Sequence, residues 1–157
     1  MSSKSLRILI ADEQHFNCLR IERCFNQLGY FRVAPVHCLE ELLTLVDFAS
    51  EPFDLLVVNA ALGVGKLDVL DFCLDNRQLE RVLIYDGRAA QLPGIAAGEQ
   101  RKVQISHALL PDLAAIQRLM DRGSLRAVRR HCHFCQVVRP GIPCKSLCAA
   151  AASNPGV

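Results

Sequence analysis

Residues 6–13 read LRILIADE, a short apolar run that ends in two adjacent acids. A run of this kind is typical of a buried parallel strand, whose polar residues begin where the strand leaves the sheet. We therefore predict a first strand over residues 6–11, with Asp12 and Glu13 at its carboxyl end.

Four more strand-like runs follow, around residues 31–36, 53–58, 82–85 and 103–105. Segments with helical periodicity separate them, although the Gly, Ala, Gln and Pro of residues 87–101 favour only a short, weak helix. Five strands alternating with helices predict an α/β domain with a doubly wound parallel sheet and right-handed crossovers. The apolar positions that mark the helices are Phe16, Leu19, Ile21, Cys24, Phe25 and Leu28 before Gly29; Leu39, Leu42, Leu43 and Val46; Leu67, Leu70 and Leu74; and Leu109, Leu113, Ile116 and Met120.

Polar residues follow the predicted strands at one edge of this sheet. In doubly wound domains the functional crevice lies beyond the carboxyl ends of the strands. That edge collects Asp12, Glu13, Asn59, Asp86 and the pair Ser106-His107. We expect these residues to line one crevice.

The length and composition of the chain exclude several classes of protein. Its 157 residues can bury one full core, so we expect one domain with an appendage. No apolar run is long enough to cross a bilayer and the first residues lack a signal-peptide pattern, which predicts a cytoplasmic protein. The sequence has no glycine-rich phosphate loop, no G-x-S-x-G and no phosphatase cysteine loop, so an enzyme is disfavoured.

Three motifs carry a resemblance to a known family. These are the run from Ile8 to Glu13, the triplet Leu28-Gly29-Tyr30, and Pro52-Phe53-Asp54-Leu55 leading to Asn59. Together they closely resemble the receiver domain of bacterial response regulators, over residues 5–122. The resemblance implies a flavodoxin-like (βα)5 fold with strand order 2-1-3-4-5 and a role in two-component, or phosphorelay, signalling.

The position of the family's phosphoacceptor is altered here. In the family an acidic pair and a third carboxylate hold Mg²⁺, and the third carboxylate takes the phosphoryl group from a histidine kinase. Asp12 and Glu13 match the pair, but the third position is Asn59. An amide has no anionic lone pair with which to attack phosphorus. We therefore predict no catalytic residue and no cofactor, with at most weak Mg²⁺ binding by Asp12 and Glu13.

Two switch positions of the family have also changed. Asp86 stands where the family has a Ser or Thr that binds the phosphoryl oxygens, and His107 stands where it has a Lys counter-charge. The aromatic switch residue a few positions before that Lys is missing as well. Lys66 could fold back as a substitute counter-charge, although a solvated lysine is the commoner case. The sequence thus predicts a pseudo-receiver that acts through phosphorylation-independent protein–protein contacts.

The resemblance also implies partners and contact surfaces. We expect signalling proteins, namely a histidine kinase, a phosphotransfer protein or an output protein, with the first helix as the surface for kinase or phosphotransfer contacts. A homodimer could form through the fourth and fifth helices, about residues 88–122. No membrane contact is expected, and nucleic acid is not favoured as a partner.

Residues 124–157 form a compositionally different tail. They carry five basic residues and no acid, whereas all 16 Asp and Glu lie in residues 1–123. Four thiols, at Cys132, Cys135, Cys144 and Cys148, offer a zinc site of imperfect spacing. We favour a dispensable, irregular tail without structural zinc, and the alternative is a metal- or nucleic-acid-binding regulator that uses this tail. The other four cysteines, Cys18, Cys24, Cys38 and Cys73, are predicted to be small core residues.

Overall fold

The computed structural model describes residues 5–86 and 95–130, with side chains described as far as residue 122. The described part contains a five-stranded sheet and four α-helices, none of them long and apolar enough to cross a membrane. In chain order the elements are β1 (Ile8–Ala11), α1 (His15–Gln27), β2 (Val33–Val36), α2 (Leu39–Asp47), β3 (Leu55–Asn59), α3 (Val69–Asp75), β4 (Val82–Tyr85), β5 (Val103–Ile105) and α4 (Leu113–Arg130), with 3-10 turns at Ala60–Gly63 and Glu99–Arg101.

All neighbouring strands of the sheet are parallel, in the order β2-β1-β3-β4-β5. The predicted fold class and strand order are thereby confirmed. The register sets Ala11 opposite Val58 and Asn59 opposite Tyr85, so the carboxyl ends of β1, β3 and β4 lie side by side.

The central strands are buried on both faces. Alternate side chains of β1, β3 and β4 pack with α2 and α3 in one apolar cluster that includes Leu9, Leu56 and Ile84. The intervening strand residues are equally buried and point to the opposite face, where α1 contributes Cys18, Ile21 and Phe25. Because both faces are buried, the side chains on both faces of these strands are apolar, as the apolar run at residues 53–58 predicts.

The predicted stop of the first helix at Gly29 is observed. Gly29 adopts a φ of 88°, in the left-handed region that glycine enters without steric cost. The N–H of Gly29 donates to the carbonyl of Asn26 at 3.0 Å, and that of Tyr30 donates to the carbonyl of Phe25 at 2.9 Å. This pair of bonds is a Schellman motif, which satisfies the last carbonyls of α1.

Two helices begin later than the apolar spacing predicts. Leu67 precedes α3, because Asp68 caps that helix by accepting from the N–H groups of Leu70 and Asp71 at 2.9 and 3.2 Å. Leu109 lies outside α4 and is 78% exposed. The cap of α4 is Asp112, whose Oδ1 accepts from the N–H of Ala115 at 2.7 Å. In both helices an aspartate that satisfies free N–H groups sets the start.

The predicted weak helix at 87–101 falls partly outside the described residues, and its described end contains the turn at Glu99–Arg101. The described chain divides into two compact units, with the division between residues 117 and 118. The predicted boundary between residues 122 and 124 stays a prediction. Every residue of the site below belongs to the first unit.

Candidate functional site

Asp12 is the centre of the site. It follows β1 directly and is only 2% exposed. Among the described residues, Asp12 is the only charged residue that is buried. A buried carboxylate is costly unless hydrogen-bond donors replace its lost water. The donors that surround Asp12 therefore decide what this site can do.

Four donors meet the Asp12 carboxylate. The backbone N–H of Gln14 donates to Oδ1 at 2.7 Å. The side-chain amides of Asn17 and Asn59 donate to Oδ2 at 2.9 and 3.1 Å, and the Tyr85 hydroxyl donates to the same oxygen. An ionised carboxylate offers about four lone-pair positions. Three of these neutral donors crowd Oδ2, while Oδ1 accepts only the N–H of Gln14.

Asn59, at the end of β3, is fixed at both ends of its amide. Its Nδ2 donates to Asp12, while its Oδ1 accepts from the N–H of Ala61 at 2.9 Å. The second bond caps the 3-10 turn that follows β3. The position predicted for the degenerate phosphoacceptor therefore presents a donor to Asp12 and uses its oxygen to hold the next turn.

Tyr85 is a donor to Asp12 that the sequence analysis did not identify. It ends β4 opposite Asn59, is fully buried, and reaches Asp12 through its hydroxyl. The sequence did carry a signal, because a tyrosine in an otherwise aliphatic buried strand needs a partner for its hydroxyl. Asn17 was also missed, and it reaches Asp12 from the first turn of α1.

The electrostatics agree with this arrangement. Burial would raise the pKa of Asp12, but the hydrogen bonds from Tyr85, Gln14, Asn17 and Asn59 outweigh it and hold the pKa below its ordinary value of 3.8. Burial, together with the bond to Asp12, raises the pKa of Tyr85 well above its ordinary value. At neutral pH the site therefore holds one carboxylate and one protonated phenol.

These residues do not fit the Mg²⁺ site of the receiver fold. Mg²⁺ requires several oxygen ligands in octahedral geometry. The oxygens of Asp12 already accept hydrogen bonds, Asn59 presents nitrogen to Asp12, and Glu13 is exposed. Within residues 5–86 and 95–122, no three His, Cys, Asp or Glu side chains come together as a metal site. At most weak Mg²⁺ binding by Asp12 and Glu13 stays a prediction.

The two changed switch positions lie at the same edge but apart from this network. Asp86 is half-buried, has a φ of 57°, and donates its N–H to the carbonyl of Ala108 at 2.9 Å. His107 is exposed. Lys66, the candidate substitute counter-charge, pairs instead with Glu40 at 3.2 Å on the surface.

The cysteine predictions divide. Cys18 and Cys73 are buried, and burial raises the pKa of both thiols, to about 11 and about 12. Cys24 is half-buried, and the core prediction is wrong for Cys38, which is exposed. The Cys38 thiol instead caps α2, accepting from the N–H of Glu41 at 3.4 Å. The four tail cysteines, Cys132, Cys135, Cys144 and Cys148, lie outside the described residues.

No protein-family model matches the sequence, and no curated protein matches it closely enough to count. Among solved structures the chain is similar to a signal receiver domain of two-component signal transduction (histidine kinase) from Clostridium thermocellum. The two share 17% identity with a TM-score of 0.50, over 78% of this chain and 95% of that one. At this identity the similarity shows the fold, and the chain has the receiver-domain fold.

Proposed function

We propose that this chain is a signal-receiver module that works by binding other proteins and does not accept phosphate. The observation that carries the proposal is the hydrogen-bonded state of Asp12, with Asn59 in the phosphoacceptor position among its donors. Phosphoryl transfer in the receiver fold needs an anionic nucleophile and a cation to neutralise developing charge. Here an amide stands where the nucleophile would be, and the Asp12 carboxylate accepts four hydrogen bonds from the protein.

The lysine next to β5 in sequence does not supply the counter-charge that the receiver family has at the position of His107. Lys102, which precedes β5, donates to the carbonyls of Leu74 and Asn76 at 2.9 and 2.6 Å, at the end of α3. It lies at the amino end of β5, away from the edge where Asp12 lies. Its role is to cap α3, as cations do at helix carboxyl ends. The histidine at the other end of β5, His107, is exposed.

A phosphorylation experiment tests the first half of the proposal. The intact chain and Asn59→Asp are incubated with acetyl phosphate and Mg²⁺, and adducts are counted by intact-protein mass. We expect none on the wild type. Asn59→Asp should give at most weak labelling, because it sets a second carboxylate beside the Asp12 carboxylate while the Asn17 and Tyr85 donors stay in place. A stoichiometric, base-labile adduct on the wild type would refute the proposal.

The partner surface that we propose is the exposed side of α1. Phe16 and Leu19, two of the apolar positions that mark this helix in the sequence, are 66% and 38% exposed. The guanidinium of Arg20 lies 5.8 Å from the centre of the Phe16 ring. An aromatic residue beside an arginine is typical of the residues that dominate binding at protein interfaces. The partner class that we propose is a histidine kinase, a phosphotransfer protein or an output protein.

A binding experiment tests this surface. The intact chain is used as bait in lysate of its source cells, with and without acetyl phosphate, beside Phe16→Asp and Phe48→Asp. Phe48 follows α2 and is 85% exposed, so it is a matched control for an exposed phenylalanine. We expect the same partners with and without acetyl phosphate, and their loss in Phe16→Asp alone. Equal loss in both variants, or capture that depends on acetyl phosphate, would contradict the proposal.

A further inference from the structure

Two histidines without any sequence pattern meet beside the carboxyl end of β1. His15 is the first residue of α1 and is exposed, while His37 directly follows β2 and is half-buried. Their rings lie edge to face, with centroids 5.1 Å apart and planes inclined by 63°. Nδ1 of His15 and Nε2 of His37 point at each other across 3.4 Å. This contact plays no part in the Asp12 carboxylate network.

The contact of Nδ1 indicates which ring nitrogen of neutral His37 carries the hydrogen. Nδ1 lies 3.3 Å from the backbone carbonyl oxygen of Asp12. A carbonyl oxygen can only accept, so this contact favours the tautomer of neutral His37 that carries the hydrogen on Nδ1 and keeps the lone pair on Nε2, although the Cys18 thiol also lies 3.8 Å from Nδ1. Histidines that ligate metals commonly donate their second ring N–H to a backbone carbonyl in this way. The lone pair of Nε2 therefore faces His15 in the orientation of a metal ligand.

The distance between the two nitrogens is at the long limit of a direct hydrogen bond and also fits a shared metal ion. A good hydrogen bond from nitrogen spans about 2.7–3.2 Å, less than the 3.4 Å observed here. Two imidazole nitrogens that each lie about 2.0–2.1 Å from a tetrahedral Zn²⁺ are about 3.3 Å apart. The observed separation agrees with the second geometry.

We propose that His15 and His37 form a two-histidine binding site for a divalent transition-metal ion that prefers imidazole, with Zn²⁺ as the reference ion. Within the part of the chain whose side chains are described, no set of three or more His, Cys, Asp or Glu could hold a metal, so water would complete the coordination of this pair. The Glu41 carboxylate, which accepts from the backbone N–H of His37 at 3.2 Å, is a nearby negative charge that favours a cation. The inference is independent of the proposed function.

The site also has a mechanical link to Asp12. The His37 ring that would hold the ion donates to the carbonyl of Asp12, and the thiol of Cys18 lies 3.6 Å from the same oxygen. An ion on Nε2 strengthens the N–H donor on the opposite nitrogen of the ring. Metal binding is therefore expected to be felt at the backbone of residues 12 and 13, which connect β1 to α1.

The test uses Co²⁺ as a paramagnetic probe and Zn²⁺ as its competitor, on the intact, reduced chain. In ¹H–¹⁵N spectra, less than one equivalent of Co²⁺ should broaden or shift the amides of residues 13–17 and 36–39, and excess Zn²⁺ should reverse this. Tail amides report any binding by the tail cysteines separately. His15→Gln and His37→Gln should each weaken this response by at least the roughly 10- to 100-fold that loss of an outer-shell partner costs.

The matched control is His107→Gln, which removes an exposed histidine at the end of β5 and should leave the response unchanged. Amide dispersion outside the two segments shows whether each variant is folded. Imidazole ¹⁵N shifts of the metal-free wild type, which need no variant, should show His37 protonated on Nδ1. A response confined to the tail, a response that survives both His15→Gln and His37→Gln, or a His37 protonated on Nε2 would overturn the proposal.

Discussion

Asp12 and Asp86 each follow a strand at the same edge of the sheet, yet their environments are opposite. The Asp12 carboxylate is buried and receives four neutral donors. Asp86 is half-buried and is fixed through its backbone, by a left-handed φ and a hydrogen bond to Ala108. The comparison separates two environments at one edge of the sheet: Asp12 belongs to the core through its side chain, and Asp86 belongs to a turn through its backbone.

This difference has an energetic reason. A buried charge stays ionised only when its surroundings are complete, so each donor around Asp12 depends on the others. Within the described part of the chain, no buried side-chain nitrogen or oxygen lacks a hydrogen-bond partner. A half-buried acid keeps access to water and makes no such demand. We therefore expect substitutions at Asp12 and its donors to cost far more stability than substitutions at Asp86.

The largest effect is predicted for Asp12→Ala. This change removes the acceptor of the buried Tyr85 hydroxyl and of the half-buried amides of Asn17 and Asn59, and a buried unsatisfied group costs about 1–3 kcal/mol. We expect the free energy of unfolding to fall by about 3 kcal/mol or more in urea denaturation. Glu13→Ala, next in sequence but exposed, is the matched control and should change it by about 0.5 kcal/mol or less.

Acid titration removes the same charge without a mutation. The pKa of Asp12 is held below 3.8 in the folded chain, so its contribution to stability is complete above that pH and is lost as the pH falls through the folded pKa. The wild type should therefore lose more stability than Asp12→Ala on acidification below pH 3.8. Parallel pH curves for the two chains would show that Asp12 is not held as an anion.

Sequence analysis predicted the sheet because its signals are local. Buried runs such as residues 53–58 and the stop at Gly29 are set by strand burial and by backbone φ, which neighbouring residues reveal. Asp12 and Asn59 were placed correctly at one edge for the same reason, since both directly follow or end a strand.

The donors around Asp12 could not be predicted in this way. In a strand buried on both faces, apolar alternation does not tell which side a residue at the end faces, so Tyr85 was taken as one more strand residue. The contact of His15 with His37 joins residues 22 apart and has no periodic signal. Helical spacing gives a stripe of apolar positions but not which of them are buried: α1 buries Cys18, Ile21 and Phe25 and leaves Phe16 exposed.

A smaller effect is predicted for Tyr85→Phe. The ring still fills its place in the core, and Asp12 loses one of its four donors, so the cost should be about 1–2 kcal/mol by urea denaturation. In a double-mutant cycle with Asp12→Ala the two losses should not add, with a coupling of at least about 0.5 kcal/mol. Additive losses would show that the Tyr85 hydroxyl does not act through Asp12.

The smallest effects are predicted at Asp86, where the backbone conformation determines which residues are tolerated. Its φ of 57° suits Asn as well as Asp, but a β-branched residue is strained there. Asp86→Asn should therefore change the free energy of unfolding by about 0.5 kcal/mol or less. Asp86→Thr, which supplies the hydroxyl expected at this position in the receiver family, should cost about 1–2 kcal/mol.

Thermal and urea unfolding of the two Asp86 variants side by side distinguish backbone strain from loss of charge, because both substitutions remove the carboxylate. If Asp86→Thr were as stable as Asp86→Asn, the left-handed turn would impose no constraint, and the hydroxyl could return by a single substitution. If Thr is the costlier residue, as we expect, then the backbone at the end of β4 disfavours the hydroxyl residue that the receiver family has there. Phosphate recognition at this edge would then require a change in the connection between Asp86 and Ala108 as well as new residues at Asn59 and Asp86.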